Sequence, residues 1–167
     1  MVEARIYDEK KAVQAVTDGL EQLMGRIIAN MRAAGEVASG RTIRSLQVIS
    51  DENSAALISA QQMPFGTLET GRKPGRVPYR FSSIIYQWMQ DKGIHGTIRG
   101  NATQERADRS MAYAISRTIA QRGTSLFRRG GRSDIYSREI PPAVARITAR
   151  IAATVDVVEM IPFNNIG

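Results

Sequence analysis

Val13–Met31 reads VQAVTDGLEQLMGRIIANM, and the spacing of its apolar residues decides what kind of fold the chain can have. Val13, Val16, Leu20, Leu23, Met24, Ile27, Ile28 and Met31 recur at steps of three and four. That spacing puts side chains on one side of an α-helix and does not suit a strand, whose faces alternate at every residue. Gln14, Asp18, Glu21 and Arg26 fall between them and Arg32 follows, so the opposite side is wet, and Gly35 supplies a stop. The expectation is a helix over about residues 8–34. It is long for a small domain and suits packing along a sheet or a neighbouring subunit.

Outward from this helix, SLQVISDENSAALISA (45–60) holds two short alternating runs around Asp51, Glu52 and Asn53, which predicts strands near 45–50 and 54–61 joined by a polar turn. MPFGTLETGRKPGRVPYR (63–80) then breaks all periodicity. Pro64, Pro74 and Pro78 remove backbone donors, Gly66, Gly71 and Gly75 add backbone freedom, and Arg72, Lys73, Arg76 and Arg80 add charge, so the segment reads as a stiff basic loop. Order returns at FSSIIYQWMQDKG (81–93), a short helix capped by Ser82 or Ser83 whose apolar face is Ile84, Ile85, Trp88 and Met89, with Trp88 in the core. In NATQ (101–104), Asn101 and Gln104 stand at capping-box spacing. The helix that follows to Gly123 is expected to turn Ala107, Met111, Ala114, Ile115, Thr118 and Ile119 inward, and Arg106, Asp108, Arg109 and Arg117 outward.

GTSLFRRGGRSDIYSREI (123–140) is a second basic, glycine-bearing interruption. Pro141 and Pro142 suit the first turn of a last helix carrying Val144, Ile147, Ile151, Val155 and Val158 at helical spacing. The tail IPFNNIG (161–167) has no regular pattern. Together these elements predict an α+β fold in one domain, residues 1–167. A long N-terminal amphipathic helix packs on a small antiparallel sheet, with further short helices, two extended loop arms at about 64–80 and 123–138, and a C-terminal helix.

The bulk numbers agree with one domain: 167 residues, 43% of them hydrophobic, are enough for one core and too few for two. The net charge of +7 favours an anionic partner such as nucleic acid, lipid headgroups or an acidic protein face. It is unevenly placed, because residues 65–138 hold 14 Lys and Arg against 5 Asp and Glu, whereas the remainder holds 9 against 11. Most of the central cations are arginines, whose planar fork suits carboxylates and phosphates better than lysine does. The absence of cysteine excludes disulfides, thiolate catalysis and cysteine metal sites. MVEARIYDEKK carries no apolar h-region and no run reaches the roughly 18 apolar residues of a membrane span, so the expectation is an unsecreted, soluble chain.

Few residues point to catalysis. His95 is the one histidine, so a multi-histidine metal site is excluded and any Ser-His-Asp arrangement hangs on it; its setting, KGIHGTIRG, reads as a surface loop. Glu69 in LETG is either a catalytic carboxylate or the partner of a nearby arginine, and the second is favoured because no co-catalyst accompanies it. SDEN lacks the glycine and distal glutamate of a calcium loop, and neither GTLETG nor GRKPG has Walker spacing. FRRGGR is a single RGG-like copy, and Tyr79, Tyr86, Tyr113 and Tyr136 lie on different elements rather than in a stacking platform. No cofactor and no catalytic residue is expected.

Taken in order, the long helix, SGRTIRSLQV (39–48), the hairpin, FGTLETGRKPG (65–75), IIYQWMQDKGI (84–94) and AYAISRTIAQRGT (112–124) resemble the minor virion proteins of tailed bacteriophages that complete the tail or join head to tail. Ser39, Gly40, Arg41, Ser45 and Leu46 match the stretch that leads into the sheet in that family, and Glu69, Thr70 and Gly71 its motif before a basic, proline-containing loop. Residues 125–140 depart from it, as an insertion before the last helix. The resemblance implies a non-enzymatic virion subunit, made in the host cytoplasm, that forms a twelvefold or sixfold ring at the neck and meets portal or adjacent ring proteins. Arg72, Lys73, Arg76, Arg80, Phe127, Arg128, Arg129, Arg132 and Tyr136 are the candidates for protein interface or DNA contact. The rival expectation is a basic nucleic-acid-binding module using the same arginines on phosphates.

Overall fold

The computed structural model describes residues 2–59 and 66–160, apart from the side chains of 2–7 and 155–160. The end of the second expected strand, the start of the first arm and the tail 161–167 lie outside the described residues. Helix α1 spans Glu9–Ala33. Asp8 caps it by accepting from the Lys11 N–H at 3.1 Å, and Gly35, at φ 67°, lies just beyond its end. Its buried stripe is Ala12, Ala15, Gly19, Leu23, Ile27 and Met31. The second half matches the expected face, whereas the first half is centred on small residues, with Val13, Val16 and Leu20 only half-buried. The reason is close helix packing: α7, Ile140–Ala152, crosses so near Gly19 that a Cβ there would overlap the Ile147 side chain.

The hairpin forms as the alternation predicts. β2, Leu46–Ser50, pairs antiparallel with β3, Ala55–Ser59, with Leu46 opposite Ser59 and Ser50 opposite Ala55. Asp51 builds the turn, accepting from the Asn53 and Ser54 N–H groups at 2.8 and 2.7 Å and from the Ser54 hydroxyl at 2.9 Å. A single turn, α2 (Arg41–Arg44), leads into β2. The α+β class and the long helix on a small antiparallel sheet hold: α1 lies over β2 and β3, and the core there joins Leu23, Ile27, Met31, Leu46, Ile135 and Ala143.

α4, Phe81–Lys92, and α5, Gln104–Arg122, pack on each other around a second cluster of Ile85, Met89 and Ala112. Four expectations change here. The N-cap of α4 is Arg80, with no side-chain cap bond, rather than Ser82 or Ser83; that of α5 is Thr103, whose hydroxyl oxygen accepts from the Arg106 N–H at 3.3 Å, rather than Asn101. Trp88 is 38% exposed and is not in the core, because Ile85 and Met89 set the buried line of α4. On α5 the buried line runs through Ala107, Asp108, Ala112 and Ser116, so Ala114 and Thr118 are exposed and Asp108 is buried. Small and polar residues hold that line since hydrogen bonds, rather than apolarity, satisfy part of it.

The last helix is shorter than expected. It starts at Ile140 with the prolines in its first turn and ends at Ala152; Val155 and Val158 belong instead to β4, Val155–Met160. β4 pairs antiparallel with β1, Val2–Tyr7, with Val2 opposite Met160 and Tyr7 opposite Val155. VDVVEM is rich in β-branched residues that fit a pleated surface, and valines at steps of three and four satisfied the helical pattern by coincidence.

Candidate functional site

The two basic interruptions fold as one unit. Each contains a single helical turn, α3 (Thr67–Thr70) and α6 (Ser125–Arg128). The Thr124 N–H donates to the Arg72 carbonyl at 2.9 Å, the Arg72 N–H donates to the Thr124 hydroxyl oxygen at 3.0 Å, Gly75 N–H reaches the Ala120 carbonyl at 2.8 Å, and Arg132 N–H the Glu69 carbonyl at 2.8 Å. Two glycines make this approach possible. Gly71 and Gly123 have φ of 68° and 74°, and a Cβ would stand 2.5 Å from the Phe127 nitrogen at the first and 2.6 Å from the Arg72 oxygen at the second.

Glu69 locks the arrangement. It is buried, and one carboxylate oxygen accepts from three consecutive amides, Ile135 at 2.9 Å, Tyr136 at 2.7 Å and Ser137 at 3.0 Å, while the other accepts from the Ser137 hydroxyl. Burial alone would raise its pKa; the Ser137 hydroxyl and the amides outweigh that and hold it below the usual glutamate value. Its expected arginine partner is therefore replaced by a nest of backbone N–H groups. Ile135, brought down by this bond, is fully buried in the α1 core.

The structure sorts the candidate residues. Arg132 is engaged internally: its guanidinium meets Asp134 at 2.6 Å and Glu36 at 3.3 Å, which raises the arginine pKa and holds Asp134 at about 2. Tyr136 packs half-buried against the core and Phe127 is half-buried between the loops. The Arg72 guanidinium lies 5.7 Å from the Phe81 ring centre and donates to the Arg76 carbonyl at 2.5 Å. Lys73, Arg76, Arg128 and Arg129 are exposed, as is Arg122 at the end of α5. None of these five has an ion-pair partner among the described residues.

A neighbouring edge joins one sequence candidate, Arg80, to three residues that the sequence reading did not single out as interface, Tyr79, Ile84 and Trp88. Arg80, Ile84 and Trp88 follow at steps of four along α4, and Ile84 is 52% and Tyr79 88% exposed. Arg80 has φ 59°, the left-handed region that non-glycine residues avoid, and its guanidinium lies 5.5 Å from the Tyr79 ring centre. The signal the sequence offered was the adjacent Tyr79 and Arg80 directly before the apolar face of α4.

His95 and Glu69, the two groups weighed for catalysis, belong to separate networks. His95 Nδ1 sits 3.2 Å from the Asp108 carboxylate, which also accepts from the Gly96 N–H at 2.6 Å, Gln104 at 2.8 Å and Gln90 at 3.1 Å. The Gly96 amide, foremost, and the side-chain donors hold Asp108 well below the usual aspartate range. These bonds tie the 93–104 connection to α5. Compared with models of known families, with characterised proteins and with solved structures, the chain finds no match in any of the three.

Proposed function

We propose that this protein is a non-enzymatic structural virion subunit of a tailed bacteriophage that forms a ring at the junction of head and tail. The carrying observation is the exposed edge Tyr79, Arg80, Ile84 and Trp88, where the first basic loop runs into α4 beside the stitched segments. Tyr, Trp and Arg are the residue types that anchor protein interfaces, and a loop already rigid loses little entropy on docking. A non-glycine residue held at φ 59° costs roughly 1–3 kcal/mol, strain that persists where it serves a contact. The ordered resemblance of residues 39–124 to tail-completion and head–tail joining proteins supports the same reading.

Such a subunit must meet two identical neighbours and a different ring above or below, so contact surface has to be carried without disturbing the core. The test is mass photometry of the purified protein, alone and with portal or tail-side ring proteins, beside mass spectrometry of intact virions. A closed multiple of the chain, and its presence in particles, is the expected result. Absence from particles overturns the proposal.

A further inference from the structure

The coupled loops carry a second surface of different character from the Tyr79–Trp88 edge. Residues 70–90 hold Arg72, Lys73, Arg76 and Arg80 without one carboxylate, and residues 109–133 hold six arginines, again without one. The backbone bonds between Arg72 and Thr124 and between Gly75 and Ala120 bring the two runs together around the C-terminal end of α5. There Lys73, Arg76, Arg122, Arg128 and Arg129 are all exposed, and no Asp or Glu stands among them in either run. Arg132 and its acids pair away from this group.

We infer that this cationic plate binds the phosphate backbone of duplex DNA without reading sequence. Three features select that partner over an acidic protein face or a single strand. Within 71–76 and 121–130 the large apolar side chains, Leu126 and Phe127, are half-buried, so the plate offers no exposed hydrophobic anchor of the kind a protein interface centres on. Its aromatic content is Phe127 alone, which supplies no stacking platform for unpaired bases. The backbone that carries these cations is fixed by close glycine contacts, so the places from which their side chains reach are set before the ligand arrives, which suits a repeating row of phosphates. The inference shares its loops with the ring reading, and in a ring it would assign the plate to nucleic acid and the α4 edge to protein.

Binding of a fluorescent 30-base-pair duplex of arbitrary sequence, measured by anisotropy from low to physiological salt, tests it. The expected plot of log affinity against log salt has a slope of about −3 to −5, at about −0.9 per phosphate neutralised. Replacing Lys73, Arg76, Arg128 and Arg129 with alanine should flatten that slope by about 3 units. Replacing Lys10, Arg32, Arg44 and Arg99, equally exposed cations elsewhere, removes the same net charge and should leave it within about 1 unit. Equal flattening by both sets, or no flattening by the first, overturns the inference, as does displacement of the duplex by polyglutamate at equal charge concentration. Thermal melting confirms that each variant is folded. Mass photometry of the same samples, alone and with portal or tail-side ring proteins, beside mass spectrometry of virions separates the two readings: a chain absent from particles with a plate-dependent slope sinks the ring alone, and a ring without one sinks the plate alone.

Discussion

Glu69 shows what one carboxylate does when its partners are backbone amides. Four donors converge on it from residues 135–137, so the bond closes a loop across 66 to 68 positions of sequence and pins Ile135 in the core. Glu69→Gln keeps the shape but loses the charge and sets an amide N–H against a donor; unfolding by urea at pH 7 should show a loss of about 2 kcal/mol. The folded pKa lies below the model-compound value of 4.5, so the charge stabilises fully above that pH and the contribution fades as pH falls through the folded value. The gap between the two proteins should therefore narrow below about pH 4.5, with Asp108 common to both and cancelling. A gap unchanged from pH 7 to 3 would show that the charge is not what holds the loop. Arg80 behaves oppositely. Glycine relieves its left-handed backbone, so Arg80→Gly should melt at the same temperature or higher, by up to about 1 kcal/mol in stability, while subunit association weakens.

Among the elements, α1 and α7 depend on a missing side chain. Gly19→Ala drives a methyl group into Ile147, and overpacking of this kind costs about 1–3 kcal/mol. Ile147→Ala opens the space, so the double variant should be more stable than the sum of the singles, read from the same denaturation curves. A strictly additive pair would mean that the helices do not meet there. The spacing in residues 13–31 was enough to read α1, and alternation with a polar turn was enough to read the hairpin, since both signals are local. Gly19, Ala12 and Ala15 were not legible as a packing face, because small residues carry little hydrophobic signal until a neighbouring helix is in place. Asp108 was assigned outward for the same reason: its donors, Gly96, His95, Gln90 and Gln104, come from three different segments.

At the scale of the whole molecule there are two packed clusters, one around α1, β2, β3 and α7 that also takes in Leu68, Ile135 and Tyr136 of the basic loops, and one between α4 and α5. The α4 edge is the place to test assembly. Ile84→Ala with Trp88→Ala should lower the melting temperature without unfolding the protein, since neither side chain belongs to a core cluster although Trp88 is only 38% exposed, and should shift mass photometry from rings toward monomers. Rings that persist undiminished would move the interface elsewhere. The β1–β4 pairing, which joins the two ends of the described chain, was invisible beforehand, because neither strand has a partner nearby in sequence and the second mimicked the helix before it. Periodicity, charge and turn chemistry are properties of neighbours along the chain, and so the α+β class, the long helix, the hairpin and the arginine-rich loops could be read from residues alone. Only the tertiary structure decided that the two loops are one unit, that Arg132 pairs with Asp134 and Glu36, that Tyr136 packs on the core while Trp88 lies outside both core clusters, and that Glu69 binds amides; these depend on segments tens of residues apart meeting in space.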